Sequence, residues 1–556
     1  MDKRLFILLG ITLGLLLLYM TFANDKKHEG PRPPQAEKVE KKAEAPKPAE
    51  PIKQRPLEPS GPRPSEETAS LSTDRFEAVF STRGGSLVSW KLKEPRFRRE
   101  KDGKKAPVDL VTTNTKDFEE NNPLRLELLT GGEEIPIKAD YELVAQGPDE
   151  VKFLYAKGPI RITKKFAKAK EPYQIWLTAT IENTTAEPRP VKAAILMQGY
   201  QDPNEAKGSY FGKPPDPQQG ICRAAGQTFR GAAKNLEHAF SAPAEVGYTA
   251  VGTNYFIDVM VPGKNENGVG CYVQLTSLLV IRSELQYTQQ TLKPGEEVTY
   301  RVRVYMGPKF YSLLQKTGHE LVSSIDLGFF EPICKVLLWF LQFFQGWVVN
   351  WGVAIILLTI LVKIILWPLT QRSYKSMEEM KRIKPLIDEV NETYKDDATK
   401  KSEVLMALYK EHKINPLGGC LPMLLQMPIW FALYRTLASA ADLYRAPFAF
   451  WLQDLSSPDP YYITPLVLGA SMFIQQKMTP TTGDNAQAKM MLYFMPAMFT
   501  AFMLFLPSGL TLYILVNTFL SIAQQKLIGR KMTGKTPLTV GRQGGPALPE
   551  KRRVRK

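Results

Sequence analysis

Apolar and polar residues fall into three regimes along this chain. Long, nearly uncharged apolar runs open it at Leu5 to Ala23 and return in the second half at Trp347 to Leu369, Leu417 to Leu437, Tyr462 to Gln475, Met490 to Phe505 and Leu510 to Ile528. At a helical rise of ~1.5 Å per residue, the longer of these can cross a hydrocarbon core of ~30 Å, and six spans is the simplest count. Between the first two runs the pattern changes to short stretches alternating at period two: Arg75 to Phe80, Val151 to Tyr155, Arg161 to Phe166, Gln174 to Ile181, Cys271 to Thr276 and Val298 to Tyr305. Gly, Pro and Asn turns separate them, so residues 68–326 predict an all-β sandwich. A closing helical stretch is predicted over Tyr311 to Ile325. The next apolar segment, Phe329 to Phe344, is too short to span, so 327–346 reads as an interfacial helix.

The remaining segments follow from composition. Residues 25–67 are a Pro/Lys/Glu/Ala mixture almost without aromatic or β-branched residues, which cannot bury enough apolar area to offset ordering, so a disordered tether is expected. The first run, with its flanks residues 1–24, exceeds the ~7–15 apolar residues of a signal peptide, which favours a retained anchor over a cleaved leader. The chain carries 556 residues and a net charge of +16. Lysine and arginine gather in the segment from Arg372 to Lys413 and in the tail, residues 529–556, which ends in KRRVRK. Both are therefore expected in the cytoplasm, as is the amino terminus, with the β domain outside. Lys26 and Lys27, just after the first run, pull weakly the other way. The expected architecture is thus a multi-pass α-helical membrane protein of six transmembrane helices with a large external all-β domain.

Candidate chemistry lies inside the spans. Lys363 sits in the second (residues 347–370), one turn after Thr359 on the same helical face. An ammonium there costs several kcal/mol unless it is paired, hydrated or snorkelling. Arg372 is only about nine residues, or ~13 Å, away, so snorkelling to the cytoplasmic interface stands beside a functional reading. Residues 417–528, the remaining four spans, carry Gln426, Tyr513 and Asn517, the last two sharing a face, and interhelical hydrogen bonding is the plain account of such residues. Prolines at 422, 428, 465 and 496 are expected to kink helices. His28, His238, His319 and His412 are too scattered for a metal site, and no GxSxG, CxxC, P-loop or GxGxxG stretch appears. No enzyme chemistry, cofactor or metal is expected. Cys222 and Cys271, both in the β domain, are either a disulfide or two buried thiols.

Residues 371–416 separate the second and third spans. Apolar positions Tyr374, Met377, Met380, Ile383, Leu386 and Val390, then Val404, Leu405, Leu408 and Tyr409, recur at helical spacing around an Asp396-Asp397 turn. This predicts an amphipathic helical hairpin, interrupted at Pro385. It is either an antiparallel pair packed on itself or an adaptable Met-containing surface for apolar partners.

The stretches NPLGGCLPMLLQMPIWFALY (Asn415 to Tyr434), VKIILWPLTQRSYKSMEEMKRIKP (Val362 to Pro385), APFAFWLQDLSSPDPYYITPLVLG (Ala446 to Gly469), QKMTPTT (Gln476 to Thr482) and FMPAMFTAFMLFLPSGLTLYILVN (Phe494 to Asn517) closely resemble the YidC/Oxa/Alb family of membrane protein insertases. That resemblance implies an inner-membrane protein with a five-helix core and a periplasmic β-supersandwich. The core would enclose a hydrophilic groove, open to the cytoplasm and the lipid and closed outside. A positive groove residue, usually arginine, would fall at Lys363 here; lysine keeps the charge and loses the guanidinium fork. Client contacts are implied near Gln426, Met427, Pro428 and Tyr513, with Thr359 and Asn517 beside them. The implied partners are nascent membrane protein clients, the Sec translocon, membrane lipids and, through the basic tail Arg530 to Lys556, the ribosome. A small-anion transporter or channel would also place a cation in a polar intramembrane cavity, but no internal repeat relates the two halves of the core.

Overall fold

The computed structural model describes residues 63–532, apart from 102–103, 114–120, 130–138, 204–215, 233–239, 243–244, 264–268, 277–278, 413, 415–420 and 480–489. The predicted first span, most of the tether and the tail beyond residue 532 lie outside the described residues, as does Cys420. The chain forms two compact units. One runs to Phe329 and includes Arg435–Ala446; the other holds Phe330–Tyr434 and the chain from Pro447 onward.

The first unit is built on alternation. Ile175, Leu177, Ala179 and Ile181 of the strand Gln174–Asn183 are fully buried, and the residues between them are half-exposed. That strand pairs antiparallel with Glu297–Pro308, setting Ile175 opposite Val304 and Leu177 opposite Val302, and with Ile160–Lys168 on its other edge. These three lie inside a nine-stranded antiparallel sheet. A five-stranded sheet contains Gly270–Leu275, Val280–Gln286 and Ala193–Tyr200, and a three-stranded one contains Thr68–Ser72, Phe76–Ser81 and Ser86–Leu92. Each buried aliphatic side chain contributes about 1.5–3 kcal/mol, which is how a surface of alternating residues becomes a core. Cys222, in the nine-stranded sheet, is disulfide-bonded to Cys271 in the five-stranded one, with Cα atoms 6.4 Å apart. The alternative left open by the sequence is thereby decided, and closing such a loop stabilises by about 2–4 kcal/mol.

A lysine is buried in this unit. Gly84 and Gly85 turn the chain between two strands with φ of 68° and 51°, values that glycine adopts without strain. A side chain at Gly85 would meet the Tyr141 ring at 3.2 Å. The turn aims the carbonyls of Gly84 and Gly85, together with that of Leu124 (2.6 Å), at the Lys164 ammonium, which donates to all three. The rings of Tyr141 and Phe166 cover the same nitrogen.

The predicted helical stretch over Tyr311 to Ile325 is broken. Helix α1 (Tyr311–Thr317) stops at Gly318, and His319 and Glu320 follow with positive φ before a 3-10 turn at Leu321–Ser324. Ion pairs from Arg223 to Glu320 (2.6 Å) and from Arg230 to Asp326 (3.3 Å) strap this segment to the sheet.

The second unit is helical. Its elements are α2 (Glu331–Val348), α3 (Trp351–Arg382), α4 (Lys384–Thr393), α5 (Ala398–Glu411), α6 (Leu421–Ser439), α7 (Ile463–Met478), α8 (Met495–Met503) and α9 (Ser508–Met532). Helix α2 buries Cys334, Leu337, Leu338 and Leu341 and leaves Val336, Trp339, Phe343 and Trp347 exposed. Helix α3 passes Pro368 and runs on to Arg382, so the span predicted to end near residue 370 and the first arm of the hairpin are one helix. The chain breaks at Ile383, where Pro385 fits the first turn of α4 because the donor it lacks is unneeded there. Among the described residues, α3 is the helix both long and apolar enough to cross a membrane. The hairpin has a core of its own: Met380, Ile383, Ile387, Val390, Leu405, Tyr409 and Ile414 bury one another, whereas Tyr374 and Met377 pack on Ile528 of α9.

Candidate functional site: a polar seam between two helices

One end of the helical unit is closed by residues 447–462. The Asn350 side chain caps α3 by accepting from Gly352 N (2.9 Å) and Val353 N (3.1 Å), and its Nδ2 donates to the Phe448 carbonyl at 2.8 Å. Gly352 is needed there, since a Cβ would lie 2.0 Å from the Phe448 ring. At the start of α9, Ser508 N donates to Ser457 O (2.8 Å), Gly509 N to Leu455 O (3.0 Å) and Ser508 Oγ to Asp454 O (2.9 Å). The Asp459 carboxylate accepts from Thr464 N and Oγ1, both at 2.7 Å, capping α7. The loop thus fastens three helix starts.

From that end a polar stripe runs along α3 and another along α9. Thr359, Lys363, Thr370 and Tyr374 recur at intervals of four and seven on α3, and Tyr513, Asn517, Ser521 and Gln524 at four, four and three on α9. Such intervals keep residues on one helical face, and the two helices pack together along these faces. The Lys363 ammonium donates to Ser521 Oγ at 2.7 Å, and Ser521 Oγ donates in turn to the Asn517 carbonyl at 2.7 Å. Farther along, Gln524 Nε2 donates to Thr370 Oγ1 at 3.0 Å. Gln426 of α6 donates to the hydroxyl of the fully buried Tyr513. Thr359 turns inward on its own helix, donating to Ile355 O at 2.7 Å.

The predicted residues are therefore partly brought together. Gln426 meets Tyr513, while Lys363 meets Ser521, which the sequence reading passed over. Asn517 enters through its backbone carbonyl, and Met427 and Pro428 are half-buried on α6. Ser521, Gln524 and Thr370 were findable: they extend the spacing of Tyr513 and Asn517, and of Thr359 and Lys363, by further turns. They sit near the charged ends of their helices, where polar residues draw no notice. Among the described residues no carboxylate lies within ion-pair distance of Lys363 and no His/Cys/Asp/Glu cluster could hold a metal.

The model of the YidC periplasmic domain matches residues 68–340, and that of the 60Kd inner membrane protein matches residues 343–535. The Membrane protein insertase YidC of Anaeromyxobacter dehalogenans (strain 2CP-C) is 35% identical over 95% of this chain and 97% of its own length. That of Syntrophus aciditrophicus (strain SB) is 34% identical over 96% of this chain and 100% of its own. This chain belongs to the YidC insertase family. A solved structure described as an active YidC insertase with the first transmembrane domain resolved is similar at 20% identity, over 83% of this chain and 92% of that one, with a TM-score of 0.38. In YidC terms the β unit is the periplasmic domain and the helical unit the inner-membrane part.

Proposed function

We propose that this YidC family member inserts client proteins into the inner membrane along the polar seam of its helical unit, with Lys363 as the fixed positive charge of a groove. The chain is a membrane protein insertase and not an enzyme, as its curated relatives are named. The observation that carries the route is Lys363 itself: a buried cation held, among the described residues, by one neutral hydroxyl. A carboxylate in a client segment would relieve its cost, and the lysine would in turn offset part of the cost of dehydrating that carboxylate in transit. Gln426, Met427, Pro428 and Tyr513 would touch the client, and Thr359 and Asn517 complete the polar face.

The remaining assignments extend this reading. Helices α3, α6, α7, α8 and α9 are five spans and the amino-terminal run a sixth, with both termini in the cytoplasm. The fastened end at residues 447–462 is then the periplasmic side, and α2, with Trp339, Phe343 and Trp347 exposed, lies along that surface. Transfer into lipid is downhill by the hydrophobic effect, so the reading needs no nucleotide site. The basic tail from Arg530 to Lys556 would hold ribosomes through phosphate contacts that weaken as salt rises, and the Sec translocon is a partner for clients with large translocated domains.

Full-length protein in proteoliposomes tests the route. Lys363→Arg is expected to insert a client with an acidic translocated segment and Lys363→Ala to impair it, while photo-crosslinkers at Gln426 and Tyr513 capture the nascent client. Wild-type insertion by Lys363→Ala would reduce Lys363 to a snorkelling residue.

A further inference from the structure

Ser521 is joined to three groups at once: Lys363 and the Tyr374 hydroxyl of α3, and the Asn517 carbonyl of its own helix. Its only proton goes to the Asn517 carbonyl one turn back on α9, at 2.7 Å, the usual back-bond of a helical serine. This bond fixes the rotamer and leaves the oxygen lone pairs facing α3, where Lys363 Nζ approaches to 2.7 Å. Both side chains are buried. Lysine is long and flexible, and a buried ammonium lowers its energy by swinging toward the nearer interface, so a lysine that stays at depth needs something to hold it. The Thr370 to Gln524 bond closes the same two helices on the side toward Arg372, narrowing the path by which the ammonium could leave.

We propose that Ser521 is the positioning residue for Lys363: its hydroxyl, set by the Asn517 carbonyl, holds the ammonium at the depth where a client's acidic group passes. One of the three ammonium protons is used, and the other two remain for the client or for water. The inference rests on the reading of Lys363 as the groove charge and adds what keeps that charge in place. A guanidinium is stiffer and reaches farther, so this need belongs to a chain with lysine at the position.

The test is a double-mutant cycle in the full-length protein, reconstituted in proteoliposomes. Two clients are used: a single-span protein with two aspartates in its translocated segment, and the same protein with asparagines in their place. Ser521→Ala is expected to lower insertion of the acidic client about tenfold relative to the asparagine client, near the lower bound for one lost bond to a charged group. Ser521→Thr keeps the back-bond and the lone pairs, and is expected to insert both clients as wild type does. Combining Ser521→Ala with Lys363→Ala is expected to add nothing to Lys363→Ala alone, because the serine acts through the lysine. An equal loss with both clients makes Ser521 a packing residue and overturns the proposal, as does wild-type insertion by Ser521→Ala while Lys363→Ala is impaired. Wild-type insertion of the acidic client by Lys363→Ala overturns the groove reading and this proposal together.

Discussion

The two units each bury a lysine, and they treat it in opposite ways. In the β-sandwich, Lys164 donates to three backbone carbonyls under two aromatic rings, and two glycines with positive φ aim two of those carbonyls at it. Every proton of the ammonium has a backbone partner, and two of the three cannot leave without unfolding the turn. In the helical unit, Lys363 has one partner among the described residues, a neutral side chain on another helix. The first arrangement is what a fold does with a charge it needs for its own closure. The second leaves bonding capacity unspent on a buried charge, and that is what a site does. Burial alone would rank the two lysines together; the count of acceptors separates them.

The comparison breaks most easily at Lys164. Lys164→Met keeps the stem and strands the carbonyls of Gly84, Gly85 and Leu124 without a donor, so the sandwich is expected to lose about 3 kcal/mol or more. Thermal unfolding of the full-length protein followed by near-ultraviolet circular dichroism measures it. A loss below about 1 kcal/mol would mean that those carbonyls find water, and the two lysines would no longer differ in kind.

Lys363→Met makes the converse measurement. Removing a charge with a single neutral partner leaves no buried ion behind, so the thermal stability of the helical unit in detergent is expected to stay level or rise, while insertion of an acidic client drops about tenfold, or ~1.4 kcal/mol. Stability and activity falling together would assign Lys363 to the fold, beside Lys164.

Much of this contrast could be read from the sequence, and the part that could not has a local cause. Period-two alternation located the six strands it named to within one to three residues, because burial on one face of a sheet is written directly into the chain: Gln174 to Ile181 was expected and the strand runs Gln174–Asn183, and the one expected at Val298 to Tyr305 runs Glu297–Pro308. Membership of the insertase family was equally legible in the apolar stretches around Lys363 and Gln426. That the helix runs on past residue 370 to Arg382 was not legible, because Pro368 and the first charges of QRSYKSMEEMKR look like an ending, whereas the apolar spacing of Tyr374, Met377 and Met380 continues the helix. The holder of Lys363 was missed for a different reason. A pairing between residues 158 positions apart leaves no local pattern, and Ser521 looks like any serine near a charged helix end.

A third lysine lies between the extremes. Lys309 is buried in the sandwich unit and donates to Ser324 O at 3.3 Å; burial first, and Arg230 beside it, pull its pKa down to about 7 against the opposing pull of Asp216, Asp326 and Asp258. In the unfolded chain the same group titrates near ~10.4, so above pH 7 the unfolded state holds the extra proton and stability rises with pH. Burial also holds the Asp258 carboxyl well above its usual range, which works in the opposite sense, so the quantity to measure is the difference between wild type and Lys309→Met. That difference is expected to grow by about 1 kcal/mol between pH 7 and 8. A flat difference over that interval would mean that Lys309 keeps its proton.

The smallest effect belongs to the lower rung of the seam. Thr370 and Gln524 are buried, neutral and bonded to each other, and Thr370 Oγ1 also donates to Leu366 O of its own helix at 3.0 Å. Thr370→Val preserves the shape and removes the contact across the helices together with the back-bond to Leu366 O. Interhelical hydrogen bonds of this kind in a membrane are worth about 0.6 kcal/mol, since the separated helices find other partners. The variant is therefore expected to lose about that much stability in detergent, to insert the asparagine client normally, and to lower insertion of the acidic client less than twofold. Thr370→Ser should match wild type. A selective loss with the acidic client as large as that of Ser521→Ala would mean that the ammonium is kept at depth by the closure of the two helices and not by the serine hydroxyl. The contrast between the units would then lie in how tightly helices seal around a charge, with the number of acceptors following from it.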